Sequence, residues 1–204
     1  DEMSSRGLGD VYKRQQSMGI SIQQVYGLTE TCGPACLMDG EGAIKRPEST
    51  GKAFFHTEVK IVDDSGNDCP AGTAGEVLVR GEHIMTEYWN RPDATAETLV
   101  DGWLRTGDVA MMDEEGYVSI QDRIKDMIIS GGENVYPAEI EGVLMSHKSI
   151  AEAAVIGQES ETWGESPLAI VVKTDDSLST AEVLEYCQGK LARFKQPKAV
   201  EFID

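Results

Sequence analysis

Short segments in which apolar and polar residues alternate, separated by turn residues, fill residues 50–122 and limit what this chain can fold into. Residues 58–62 (EVKIV) and 75–81 (GEVLVRG) place apolar side chains at every second position, as in a strand with one buried face. Acidic turns containing glycine, at 63–67 and 113–116, separate such segments. We therefore expect an antiparallel β-rich subdomain here, with one helix over residues 92–99.

The pattern changes after Asp122 to a mixture of strands and helices. Pro137 predicts the first turn of a helix. Ser179 and Glu182 form a capping-box pattern, which predicts the start of a second helix. Four short apolar segments predict strands, at residues 127–129, 151–156, 168–172 and 199–203.

These patterns predict a mixed α+β fold, in which an antiparallel β-rich subdomain is followed by a small α/β domain. We expect the second domain to cover residues 123–204 and to be truncated, since its last strand runs into the end of the chain. Residues 16–122 form the preceding domain. Residues 1–15 show no periodicity and are interpreted as a disordered or non-native leader.

Charge and composition exclude several classes of partner. The net charge of -18 repels phosphate backbones and argues against nucleic acid and anionic membranes. A phosphate-bearing substrate would need local cations, backbone N–H groups or Mg²⁺. No apolar run approaches the roughly 20 residues that a membrane helix needs. The four cysteines match no zinc spacing, which favours reduced thiols and a cytoplasmic location.

A first motif, residues 26–31 (YGLTET), follows a predicted strand at residues 20–24, with a turn starting at Val25. Tyr26 can stack on a purine, and Gly27 lets backbone approach the base. Thr29 can bind a phosphate oxygen, and Glu30 can hold Mg²⁺, which prefers oxygen ligands. The alternative is a surface turn.

A second motif, residues 101–108 (DGWLRTGD), places an acidic side chain after a tight glycine turn. The carboxylate of Asp108 can accept hydrogen bonds from two ribose hydroxyls, as in other nucleotide sites. The alternative is a plain turn between strands, with Trp103 covering the core.

A third motif, residues 121–141 (QDRIKDMIISGGENVYPAEIE), crosses the predicted boundary between domains, where a hinge is expected. Arg123 is a permanent cation that can bind ribose oxygens or phosphate. Gly131 and Gly132 leave room for a thin ligand arm beside the backbone. The alternative is a charged linker and a glycine turn before a helix.

Together the three motifs resemble the signatures of the adenylate-forming superfamily, and most closely its fatty-acid and aryl-CoA ligases. The resemblance covers residues 16–204 and implies an AMP-forming acid–thiol ligase that uses ATP, Mg²⁺ and coenzyme A as well as a small-molecule carboxylic acid. The implied roles are adenine contact for Tyr26 and Gly27, α-phosphate contact for Thr29, the Mg²⁺ ligand for Glu30, ribose binding for Asp108, nucleotide contact for Arg123, the hinge for Lys125, and the pantetheine path for Gly131 and Gly132.

Two features of the family are missing from the 204 residues. No Gly-rich phosphate loop precedes residue 26, and the catalytic lysine expected after the last strand is not present, since Lys198 lies before that strand. We therefore expect the isolated chain to be inactive. A medium- or long-chain fatty acid is the first expectation for the substrate, and an aryl acid is the second. Two alternatives stay open: an amino-acid adenylation domain that loads a carrier protein, and a non-catalytic nucleotide-binding fragment.

Overall fold

The computed structural model describes residues 18–19 and 23–203. The predicted leader at residues 1–15 lies outside these residues, as does most of the strand predicted at 20–24. The chain forms two compact units that divide between Ile124 and Lys125.

All described strands of the first unit pair in the antiparallel direction. Its strands are β1 (Gln24–Tyr26), β2 (Cys36–Met38), β3 (Lys52–Ala53), β4 (Glu58–Val62), β5 (Gly75–Arg80), β6 (Leu99–Val100), β7 (Trp103–Met112) and β8 (Val118–Arg123). Its helices are α1 (Gly40–Lys45) and α2 (Pro92–Thr98), and a 3₁₀ turn spans Thr29–Thr31. A second 3₁₀ turn, Ile124–Asp126, lies at the division between the units.

Two antiparallel sheets make up this unit. Strands β1, β2 and β3 form the smaller sheet, and the larger has the order β4-β5-β7-β6 with β8 also paired to β7. The predicted β-rich subdomain is confirmed, and β4 has the predicted bounds. The turn predicted at Val25 is wrong, because this residue pairs with Leu37 in the ladder between β1 and β2.

Alternation places one face of the larger sheet in the core. Val77 and Val79 of β5 are fully buried, as are Ala110 of β7 and Val118 of β8. Each of the three buried valines contributes about 1.5–3 kcal/mol by leaving water. Cys36 of β2 and Ala35, which precedes it, pack into the same cluster, which joins the two sheets.

The second unit combines one mixed sheet with two helices. Its elements are β9 (Ile128–Ser130), β10 (Glu133–Val135), α3 (Pro137–Leu144), β11 (Ile150–Ser160), β12 (Gly164–Lys173), α4 (Thr180–Cys187) and β13 (Ala199–Ile203). The sheet order is β10-β9-β12-β11, and β13 pairs with β12 in the parallel direction.

Both helices of this unit begin where the sequence predicts. Pro137 lies in the first turn of α3, and Ile140 and Leu144 are fully buried on the face that meets the core. Ser179 Oγ accepts a hydrogen bond from the Glu182 backbone N–H, and the Glu182 carboxylate accepts from Ser179 N at 2.9 Å, which completes the capping box. No helix of the described residues is long and apolar enough to cross a membrane.

Candidate functional site

Three residues that are far apart in sequence meet at one buried carboxylate. The Tyr26 hydroxyl donates a hydrogen bond to Asp108 Oδ2 at 2.6 Å, and Arg123 Nε lies 3.4 Å from Asp108 Oδ1. Asp108 is only 5% exposed, so this carboxylate has little contact with water. The structure therefore brings together three of the residues that the sequence assigns to a nucleotide.

The strands explain why these three side chains meet. Tyr26 is the last residue of β1, and Arg123 is the last residue of β8. Asp108 lies directly opposite Arg123 in the ladder between β7 and β8. Burial, and next the bond to Asp108, raise the pKa of Tyr26 far above its usual value. The phenol is thus held protonated and acts as a donor.

The second motif contains the predicted tight glycine turn, which connects β6 to β7. The turn is made by Asp101 and Gly102, both with positive φ, and Asp108 lies six residues later in the middle of β7. The ladder between β5 and β7 is irregular here: Glu76 pairs with Val109, and Leu78 pairs with Arg105. Three residues of β7, from Thr106 to Asp108, therefore bulge opposite the single residue Val77.

The loop after β1 is closed by contacts within the first motif. A Cβ on Gly27 would lie 2.5 Å from the carbonyl oxygen of Gly33, so glycine is required for this close approach. Thr31 is fully buried, and its Oγ1 accepts a hydrogen bond from Leu28 N at 2.9 Å. Thr29 is exposed at the start of the 3₁₀ turn.

Glu30 is held at both its backbone and its side chain. Its carbonyl oxygen accepts from Met85 N at 2.8 Å, and its carboxylate Oε1 accepts from the Tyr88 hydroxyl at 2.7 Å. The bond to Glu30 raises the pKa of Tyr88, which keeps this phenol a donor. Tyr88 is a site residue that the sequence analysis missed, because no local pattern links it to Glu30.

The surroundings of Glu30 fit one protein ligand for Mg²⁺. Among the described residues, only Oε1 of this carboxylate makes a hydrogen bond within the chain, which leaves Oε2 for a cation. The described part of the chain contains no group of three metal-binding side chains. A single carboxylate that shares Mg²⁺ with the phosphates of a nucleotide needs no such group.

A cavity of about 330 Å³ joins the first motif to the second. Its lining includes Leu28 and Glu30 of the first motif and Thr106 and Gly107 of the second, which directly precede Asp108. The two motifs thus share one concave site within the first unit, as expected for a small-molecule site.

Glu76 is a second residue of this region that the sequence analysis missed. It is 8% exposed, and its Oε2 accepts from Arg105 Nε at 2.9 Å. In the sequence, Glu76 looks like one polar position of an alternating strand. Its partner, Arg105, lies 29 residues later, so the local sequence pattern does not indicate that the Glu76 carboxylate is buried and paired.

The other predicted site residues, Lys125, Gly131 and Gly132, belong to the second unit. Lys125 is exposed within the 3₁₀ turn Ile124–Asp126. Gly131 and Gly132 have φ of 64° and 85° and join β9 to β10, since Ser130 pairs with Glu133. A two-residue hairpin with both φ positive requires glycine-like residues for its own geometry. The roles predicted for these residues toward coenzyme A and domain rotation stay predictions.

Comparison with known proteins identifies the family to which the sequence is similar. Residues 9–89 match the family model of the AMP-binding enzymes, and residues 139–204 match that of the AMP-binding enzyme C-terminal domain. The chain is 45% identical over 185 residues to a 2-succinylbenzoate–CoA ligase of Bacillus cytotoxicus, covering 91% of the chain and 38% of that protein. It is 46% identical over 185 residues to the long-chain-fatty-acid–CoA ligase FadD13 of Mycobacterium tuberculosis, covering 91% and 37%.

Solved structures show the same fold. The o-succinylbenzoate CoA synthetase of Bacillus subtilis in complex with its acyl-adenylate intermediate superposes with a TM-score of 0.88 at 39% identity, covering 96% of this chain and 40% of that one. The same enzyme has also been solved with ATP and a magnesium ion.

This chain belongs to the AMP-binding enzymes, and its α+β fold is that of the adenylate-forming proteins. The relatives at 45% and 46% identity are acid–CoA ligases. The chain spans 38% and 37% of the length of these two relatives.

Proposed function

We propose that the whole protein is an AMP-forming acid–CoA ligase, which activates a carboxylic acid with ATP and transfers the acyl group to coenzyme A. The observation that carries the proposal is the cluster of Tyr26 and Arg123 around the buried carboxylate of Asp108, which directly follows two residues that line the Glu30 cavity, Thr106 and Gly107. Such a cluster offers an aromatic ring, a hydroxyl-binding carboxylate and a cation to one nucleotide. The names of relatives at 45% and 46% identity support the same reaction class.

In the proposed site, each side chain acts on a different part of the nucleotide. Asp108 accepts hydrogen bonds from the ribose hydroxyls, and the ring of Tyr26 lies against adenine beside the Gly27 backbone. Arg123 adds a permanent positive charge near Asp108. Thr29, exposed at the loop, binds an α-phosphate oxygen.

Mg²⁺, when bound, would neutralise phosphate charge as the substrate carboxylate approaches. Glu30 would hold the ion, and the Tyr88 hydroxyl fixes the orientation of the Glu30 carboxylate. The proposed reaction gives acyl-AMP and pyrophosphate, and most of its acceleration comes from positioning and charge stabilisation.

The second half of the proposed reaction transfers the acyl group from acyl-AMP to the thiol of coenzyme A and releases AMP. We assign residues 16–122 to the large AMP-binding domain and residues 123–204 to a mobile C-terminal domain that turns about Lys125. Support comes from the division of the chain into compact units next to this residue. Gly131 and Gly132 line the pantetheine path in this proposal.

The proposed acid is a medium- or long-chain fatty acid, with an aryl acid as the second candidate. Similarity to a long-chain-fatty-acid–CoA ligase supports the first, and similarity to a 2-succinylbenzoate–CoA ligase supports the second. We place the reaction in the cytoplasm, where free thiols such as the four cysteines of this chain stay reduced.

The test uses the full-length protein that contains this chain, with ATP, Mg²⁺ and a panel of fatty, aryl and amino acids. Mass spectrometry identifies the thioester formed with either coenzyme A or a phosphopantetheinyl carrier protein. We expect an acyl-CoA from a fatty acid, with AMP and pyrophosphate as the other products. Transfer of an amino acid to the carrier protein, or no adenylate from any acid, would contradict the proposal.

A further inference from the structure

The three residues before Asp108 are each held by strand β5. Glu76 Oε2 accepts from Arg105 Nε at 2.9 Å, and Glu76 Oε1 accepts from the Gly107 backbone N–H at 3.3 Å. Between them, Thr106 Oγ1 donates to the carbonyl oxygen of Val77 at 2.8 Å. The bulge in β7 is therefore fixed to β5 residue by residue.

The Thr106 hydroxyl is also bonded to Asp108 itself. Thr106 Oγ1 accepts from the Asp108 backbone N–H at 3.1 Å. This contact links the fixed bulge directly to the backbone of the residue whose carboxylate meets Tyr26 and Arg123.

Side-chain hydrogen bonds are needed to position these residues because the regular ladder between β5 and β7 is interrupted. Where one strand bulges, its extra residues lose the backbone pairing that would otherwise set their position. Burying a carboxylate is costly unless it is hydrogen-bonded, so a buried Glu76 is expected to have its oxygens engaged. Both of its oxygens are engaged, by Arg105 and by Gly107. Glu76 also lines the cavity beside Glu30, but these bonds leave it unsuited to be a metal ligand.

We propose that Glu76, with Arg105 as its partner, is a positioning residue that sets the Asp108 carboxylate for ribose binding. Glu76 acts through the bulge that precedes Asp108. The proposal rests on the proposed function, because it requires that Asp108 binds ribose.

The test is the ratio of affinities for AMP and 2′-deoxy-AMP, measured by NMR titration of the chain. Loss of one hydroxyl removes one hydrogen bond to a charged acceptor, so wild type should prefer AMP by about 10- to 100-fold. The ratio does not depend on the folded fraction, because the unfolded chain takes up neither nucleotide. Asp108→Asn gives the ratio expected when ribose recognition is weakened.

We expect Glu76→Gln to lower this ratio at least fivefold, toward that of Asp108→Asn. Arg105→Lys, which keeps the charge but loses the forked contact, serves as a second variant and should lower the ratio in the same direction. The matched control is Glu58→Gln, which breaks a comparable contact between β4 and β5, where Arg80 Nε donates to Glu58 Oε1 at 2.9 Å. That variant should keep the wild-type ratio.

An unchanged ratio in both Glu76→Gln and Arg105→Lys would overturn the positioning role. So would an equal fall in Glu58→Gln, because the effect would then come from general loosening of the sheet. If wild type itself does not distinguish AMP from 2′-deoxy-AMP, the ribose role of Asp108 is wrong, and the proposed nucleotide site fails together with the positioning role.

Discussion

Replacing Tyr26 with phenylalanine removes the hydroxyl that donates to Asp108 Oδ2 at 2.6 Å and keeps the ring. A hydrogen bond to a charged group contributes about 1.5–3 kcal/mol net. Asp108 is 5% exposed, so water can replace the lost donor only in part. Arg123 compensates little, because its Nε is 3.4 Å away and its side chain is 57% exposed.

These facts place the expected loss in the upper part of the range, at about 2–3 kcal/mol in the free energy of unfolding of the first unit. The folded-to-unfolded ratio would fall roughly 30- to 150-fold. Urea denaturation followed by tryptophan fluorescence measures this loss by linear extrapolation. A Trp163→Phe background restricts the signal to Trp89 and Trp103, which belong to the first unit.

Tyr117→Phe is the matched control. The Tyr117 ring lies beneath Arg46 at 4.1 Å and Lys52 at 4.4 Å, and its hydroxyl makes no hydrogen bond to any described residue. We expect this change to cost less than about 0.5 kcal/mol. Equal losses in Tyr26→Phe and Tyr117→Phe would refute the view that Tyr26 stabilises the buried carboxylate.

Three further predictions follow from the same contacts. Ser179→Ala removes the cap of α4 and should lower the unfolding free energy of the second unit by about 1 kcal/mol, measured by urea denaturation, whereas Ser177→Ala, outside the capping box, should cost less. Backbone N–H groups of Tyr117 and Glu115, with Arg46, hold the pKa of Asp113 below its usual range. The ionised Asp113 therefore stabilises the fold above its unfolded pKa of about 3.9, and this stabilisation is lost as the pH falls through its folded pKa. Thermal melts between pH 5 and about pH 2 should show a smaller fall in Tm for Asp113→Asn than for wild type. The isolated chain should show no ATP–pyrophosphate exchange with any acid, and clear exchange would contradict the need for further parts of the enzyme.

Local patterns predicted the elements whose side chains interact with near neighbours in sequence. Strand β4 alternates over its full length, and the start of α4 is set by contacts between Ser179 and Glu182. Helix α1 was missed, because two of its six residues, Gly40 and Gly42, are poor helix formers. Strands β11 and β12 are longer than predicted, since they continue as a paired hairpin through polar residues such as Gln158 and Ser166.

The sequence predicted individual site residues but not the contacts between them. The motifs named Tyr26 and Asp108, yet nothing in the sequence indicates a hydrogen bond across 82 positions. The bulge in β7 depends on Glu76 and Val77, which lie on another strand, so no pattern within residues 101–108 indicates it. Tyr88 was missed for the same reason, because its contact with Glu30 arises only from the tertiary fold.

A structure of the protein in complex with AMP measures the central claim directly. The account predicts both ribose hydroxyls within hydrogen-bond distance of the Asp108 carboxylate, with adenine against the ring of Tyr26. AMP bound elsewhere, or a ribose that makes no contact with Asp108, would contradict the assignment of Asp108 and its two partners, Tyr26 and Arg123, as the nucleotide site.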